Sequence, residues 1–225
     1  MNRMHRCVVM LVFGLLAGST AFAQMGMRMS PELRGYWKPV VGNGGAYEMT
    51  SPDGTKSQME FAIVGKDTVD GKDGVWMEMT MSNPRMGGQM LVKYFVAVDG
   101  SQMTFSRMIM QMPGRPPMEM PQNMTQGRKP IQYEDIQTNA TDVGSESVTV
   151  PAGTFQCEHW KMKDGSGDAW VSDKISPFGL VKHQGSKSDT MVLTKQVTDA
   201  KDKMVGTPIP FDPMKMMQQA QQPQQ

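Results

Sequence analysis

The chain has 225 residues, of which 20% are charged, with 23 Lys and Arg against 22 Asp and Glu, a formal net charge of +1, and two cysteines. Near-neutrality excludes a nucleic-acid-binding face, which needs clustered cations. Only Cys157 lies beyond the first 23 residues, so no internal disulfide framework is available to the chain that follows them.

Residues 1–23 have the three parts of an export signal: Arg3 and Arg6, an apolar run from Val8 to Ala17, and GSTAFA ending in Ala21-Phe22-Ala23. The run is too short for a bilayer, which takes about 20 residues. Cleavage at about Ala23 is expected, with a periplasmic or secreted product. Cys7 precedes the apolar run and Gln24 follows the cleavage point, so no lipid-modified N-terminal cysteine is expected. The product keeps 202 residues (225 less 23) and, having lost two arginines and no acid, a charge of −1. No later stretch has the length and apolarity of a transmembrane segment.

In chain order, Ser30-Pro31-Glu32-Leu33 is a candidate helix start, with Ser as N-cap and Pro at the first helical position. Dense turn signals follow: GNGG at 42–45, SPDG at 51–54, VDGKDG at 69–74, NPRMGG at 83–88 and VDGS at 98–101. Between them lie short runs rich in Val, Ile, Phe, Tyr and Thr, the pattern of antiparallel strands joined by tight turns. Strands are predicted near 45–50, 57–66, 74–82, 89–98 and 101–112. Residues 113–130 hold five prolines and two glycines and are read as a long loop. Further strands are predicted at 131–138, 145–150, 154–163, 168–173, 179–184 and 189–197. Asp212-Pro213 is a second candidate helix start, and the polar residues 207–225 are read as a disordered tail. The expected fold is mainly β: one strongly curved antiparallel sheet, open or half barrel, over 24–206, with one or two short helices.

Methionine carries the least ordinary signal. Of 26 methionines, 23 lie beyond residue 23, and seventeen of those fall between 25 and 124. On a strand successive side chains point to opposite faces, so Val75, Met77, Met79 and Met81 share one face, while Trp76, Glu78 and Thr80 share the other. Met108, Met110 and Met112 share a face in the same way. If these strands are neighbours, Met77, Met79, Met81, Met108, Met110 and Met112 form one methionine-lined surface. Three uses suit it. Methionine fills irregular core space. It also lines cavities for apolar guests of variable shape, here a lipid, an acyl chain or a lipidated protein. Its soft thioether selects copper(I), and in that alternative Cys157 and His159, two apart on one strand, add a thiolate and an imidazole. Exposed thioethers also oxidise reversibly, a sacrificial use. No cofactor is expected in the apolar-guest reading.

Catalysis finds no motif. Beyond the signal there are two histidines, His159 and His183, and there is no Gly-x-Ser-x-Gly elbow, phosphate-cradling glycine loop or His-Glu-x-x-His helix. A non-enzymatic role is therefore expected, with a cell-envelope structural or interaction role as a further alternative.

From residue 148 the chain reads VTVPAGTFQCEHWKMKDGSGDAWVSDKISPFGLVKHQG. Its pieces are a strand ending at Val150, Pro-Ala-Gly-Thr-Phe at 151–155, Trp170-Val-Ser, and Pro177-Phe-Gly-Leu-Val-Lys182. This stretch of about 40 residues resembles exported bacterial β-domains grouped with the lipoprotein-carrier superfamily typified by LolA and LolB. The resemblance implies a curved antiparallel sheet, a periplasmic location and an apolar ligand. The chain departs from the carriers in showing almost no helix, and none of their functional residues maps onto it.

Overall fold

A computed structural model of the chain describes residues 36–82, 87–99, 102–121, 131–132 and 139–212. The expected export signal, both candidate helix starts at Ser30 and Pro213, residues 122–130 of the loop and residues 213–225 of the tail lie outside the described residues. Among those described, thirteen strands form one sheet. The first five make a meander: β1 (Gly44–Thr50), β2 (Lys56–Val69), β3 (Lys72–Ser82), β4 (Gln89–Asp99) and β5 (Gln102–Gln111). Two-residue strands follow, β6 (Met118–Glu119) and β7 (Ile131–Gln132). The second meander is β8 (Ala140–Val150), β9 (Gly153–Met162), β10 (Gly167–Val171), β11 (Leu180–Gly185) and β12 (Thr190–Val197), and β13 (Ile209–Pro210) ends the series.

The order across the sheet is β8-β9-β10-β11-β12-β1-β2-β3-β4-β5-β6-β13, with β7 beside β5. Antiparallel pairing of β12 on β1 joins the two meanders. The fold class is as the sequence predicts: mainly β, a curved sheet that does not close into a barrel. Curvature has local causes. Extra residues at Val64, Ser106, Val143, Val181 and Thr194 shift the register of their strands, and such bulges bend and twist a strand. At the β8–β9 turn the sheet has curled far enough for Ala152 N–H to donate to Leu193 O of β12, at 3.3 Å.

Turn chemistry sets the hairpins. Asp70 and Gly71 have φ of 52° and 74° and join β2 to β3 in a two-residue turn closed by the pair Val69 and Lys72. Positive φ at both positions is the requirement of the hairpin turn whose twist matches its strands. Pro151-Ala152 joins β8 to β9 in the same compact way, with Val150 facing Gly153.

Two segments seen in the sequence as loop and tail contribute strand. Met118–Glu119, within the proline-rich stretch, pairs antiparallel with β5, and Ile209–Pro210 pairs parallel with β6. The core lies where β1, β2 and β12 meet the β10–β11 loop. Trp37 packs on Phe178 at 5.3 Å between ring centroids, Phe178 meets Phe61 edge-on at 5.5 Å, and Phe61 meets Tyr47 at 6.0 Å. Buried Tyr47 donates its hydroxyl to Leu180 O at 3.0 Å, which satisfies the phenol oxygen inside this cluster. Among the described residues no helix is long and apolar enough to cross a membrane.

Candidate functional site

The register places the predicted methionines on one face of the first meander. Met81 lies between Met59 of β2 and Met90 of β4. Met79 lies between Phe61 and Val92, and beyond Val92 the row continues to Met110 and Met118. Met77 lies between Ile63 and Tyr94, and Tyr94 faces Met108. Direct cross-strand partners have Cβ atoms about 4.5–5.5 Å apart, so these side chains form a continuous surface reaching from β2 to β6. Met112 comes one residue after β5.

Burial divides this surface. Met77 and Met79 are 1% and 3% exposed, and Met59 and Met90 are buried as well. At the β2 side the face is closed by the Trp37–Phe178 aromatic cluster. Met77 and Met79 are therefore core residues. Met81, Met108, Met110 and Met112 are only half-buried. Tyr94 and Phe105, stacked edge-on at 5.8 Å, stand among them.

Cys157 and His159 share a face of β9, as the alternation requires, but their surroundings separate them. The Cys157 thiol is buried, lies 3.7 Å from Phe155 O, and is pushed up to about 11 by desolvation and by the Glu146 charge, so at neutral pH it stays protonated. His159 has both ring nitrogens beside carboxylates: Nε2 is 3.0 Å from Asp168 and Nδ1 is 3.2 Å from Glu146. Its ring stacks on Trp170 at 4.4 Å, and Lys182 Nζ lies 4.5 Å from the same indole. Trp170 Nε1–H donates to Glu146 at 2.5 Å. This ladder of side chains across β8–β11 holds the imidazole in place and occupies both its nitrogens. Among the described residues no group of three or more His, Cys, Asp and Glu is placed to hold a metal ion.

The opposite face of the first meander carries a feature the sequence reading passed over. Residues 198–208, between β12 and β13, cross β2, β3, β4 and β5 as a strap. At its start Ala200 N–H donates to Gly42 O at 2.8 Å. Lys203 N–H then points between both oxygens of Glu78, at 3.2 and 3.3 Å, and Lys203 Nζ reaches Glu60 at 2.6 Å. Asp202 takes Lys93 Nζ at 2.5 Å, and Gln111 bonds both backbone groups of Val205, at 3.0 and 3.2 Å. Past the strap, Ile209 N–H donates to Pro117 O, just before β6, and Phe211 N–H to Glu119 O on β6.

Glu78 is 3% exposed. Burial first, then a hydrogen bond shared with Asp202, push its carboxyl up to about 7. Burial works against the charge of Asp202 too, but the Lys93 ammonium and the Met204 amide hold that carboxyl below its ordinary range. The two carboxyls are thus pushed in opposite directions, and Glu78 is the one that takes a proton more readily. The sequence did hold a signal: a carboxylate in mid-strand, flanked by Met77 and Met79. Its partners lie more than a hundred residues away and have no periodic pattern.

No family model and no curated protein matches the chain. Several solved structures resemble it, among them the following two. One is a protein assigned as exported, with a YmcC-like fold, from Bacteroides fragilis: 15% identical, covering 71% of this chain and 97% of that one, with a TM-score of 0.37. The other is assigned as a lipoprotein, from Parabacteroides distasonis: 15% identical, covering 72% and 97%, with a TM-score of 0.36.

Proposed function

We propose that this is an exported, non-enzymatic binding protein that holds an apolar molecule, an acyl chain or a lipidated partner, against the outer part of its methionine face. The observation that carries this reading is the division of burial. Met77 and Met79 are sealed in the core, while Met81, Met108 and Met110 on the same side of the sheet, and Met112 just past β5, are half-buried. Unbranched thioethers adapt to guests of differing shape. The export signal in the sequence and the resemblance of residues 148–185 to the lipoprotein-carrier superfamily agree with it.

Binding by burial sets a modest affinity. A guest removing about 400 Å² of apolar surface from water gains about 10 kcal/mol. Association costs at least about 4 kcal/mol, which leaves a Kd no tighter than tens of micromolar. The test is titration with a fluorescent fatty acid, in wild type and in Met108→Lys and Met110→Lys. Saturable binding lost in both variants, with the far-ultraviolet spectrum unchanged, supports the reading. Binding that is absent in wild type, or equal in all three, removes it.

A second reading has one specific observation behind it. Met59, Met81 and Met90 stand side by side on three adjacent strands, a spacing from which three flexible thioethers can converge on copper(I). Competition against a copper(I) chelator in wild type and Met81→Leu tests it: a tenfold or greater loss in the variant is expected.

A further inference from the structure

The strap at 198–208 joins a charge cluster on one face of the sheet to the edge of the methionine face. The cluster contains Glu60 from β2, Glu78 from β3, Lys93 from β4, and Asp202 and Lys203 from the strap. Three carboxyls meet two ammonium groups, so one proton makes the set neutral. Glu78 is the most deeply buried of the five. Its two oxygens face the Lys203 amide, and its other close polar partner is the Asp202 carboxyl. With both groups ionised, the Asp202 charge acts on a Glu78 carboxylate from which water is excluded, and like charges in such surroundings repel.

We propose that the strap is a proton-operated latch: a proton shared between Glu78 and Asp202 holds residues 198–208 across β2–β5, and its loss lets the strap lift. Lifting has a defined consequence, because β13 directly continues the strap and pairs with β6. β6 in turn is held to the main sheet through Ile109 with Glu119 and Met110 with Met118, helped by the bidentate Arg107–Glu119 contact at 2.7 and 2.9 Å. A released strap removes one of the two flanks of β6 and loosens the outer edge of the methionine face. Control of a bound guest by this route rests on the binding reading above; the latch itself does not.

The direction with pH follows from which state binds the proton. The latched state holds Glu78 at about 7, against its ordinary 4.5. Latching therefore weakens as pH rises from about 4.5 and levels off above about 7. The lowered Asp202 carboxyl acts at the other end of the scale, weakening the latch only in strong acid. Between pH 5 and pH 8 linkage with Glu78 alone predicts a loss of latching on the order of fiftyfold.

The test is amide hydrogen exchange of the full chain at pH 5 and pH 8, corrected for intrinsic exchange, with β12 as internal reference. Wild-type residues 200–205 are expected to lose tenfold or more in protection at pH 8 relative to β12. Glu78→Gln keeps an amide that can donate to Asp202 and accept from Lys203, so its strap should stay protected at both pH values. Gln111→Ala should loosen the strap alike at both. An unchanged wild-type strap, or a Glu78→Gln strap with the same pH step as wild type, overturns the latch. A parallel fatty-acid titration at pH 5 separates the two ideas. A pH step in the strap without guest binding leaves the latch standing and removes the binding reading, whereas guest binding over an unresponsive strap removes the latch alone.

Discussion

Truncating Met79 and Met110 to alanine should give sharply different penalties, although both lie in one cross-strand row separated only by Val92. Met79 is 3% exposed, with Phe61 and Val92 as its direct cross-strand partners. Removing its three terminal heavy atoms loses their transfer energy and leaves a cavity that flanking strands, fixed by their ladders, close only partly; buried Met→Ala changes cost about 2–5 kcal/mol. At about 2–4 °C per kcal/mol for a protein of this size, the melting temperature should fall by roughly 10 °C. Met110 is half-buried, so its alanine variant opens no closed cavity and should cost about 1 kcal/mol or less, a fall of at most about 4 °C. Calorimetric melts at equal protein concentration, with urea midpoints as a second measure, read the difference. Equal losses, or a larger one at Met110, would refute the division of the face into sealed core and open lining. The division also fixes the order of oxidation. Under dilute hydrogen peroxide, sulfoxide should form at Met81, Met108, Met110 and Met112 before Met77 and Met79, as peptide mass mapping would show.

Two further expectations rest on single contacts. Tyr47→Phe removes the donor to Leu180 O inside the core and should cost about 1–2 kcal/mol in urea unfolding while leaving the fold intact. A cost near zero would mean that this carbonyl finds another partner. Cys157 is 2% exposed and its thiol is pushed up to about 11, so it should react with a disulfide reagent at pH 7.5 only as fast as the protein opens. Reaction at the rate of a free thiol would contradict the burial described for β9.

The strands were legible because their chemistry is local. Asp70-Gly71 marks a hairpin by the φ its residues must adopt, and the alternation of Met77, Met79 and Met81 identifies a face before any partner strand is known. The extents were less legible where polar residues replace alternation. β2 runs on through Lys-Asp-Thr-Val to Val69, and β8 begins at Ala140 rather than 145, since backbone pairing to a neighbour needs no apolar period. β6 and β13 were invisible for a related reason: a two-residue strand has no period, and β13 finds its partner β6 only from some ninety residues away in the chain. The face itself was readable, but which of its methionines are sealed was not. That depends on Phe178, which reaches Phe61 from far along the chain, and on Trp37, which packs on Phe178.

β3 shows why the two faces of this sheet behave differently. Its odd-numbered residues Val75, Met77 and Met79 are buried, and so are its even-numbered Glu78 and Thr80. On the methionine side, contacts are apolar and undirected; side chains can shift rotamers and one register of an incoming group is nearly as good as another. On the other side a carboxyl has been taken out of water, which costs free energy unless partners replace the solvent. Those partners come from one short segment, and the directional bonds from Glu78, Lys93, Glu60 and Gln111 fix it in one register: shifting 198–208 by a residue would move Asp202 and Lys203 off their partners together. An apolar residue at 78 would pack with less penalty, but it would give the strap no unique seat and nothing to titrate. The same strand thus combines a tolerant surface with a discriminating one, and the latch follows from the discriminating side being built around a group that can lose its proton.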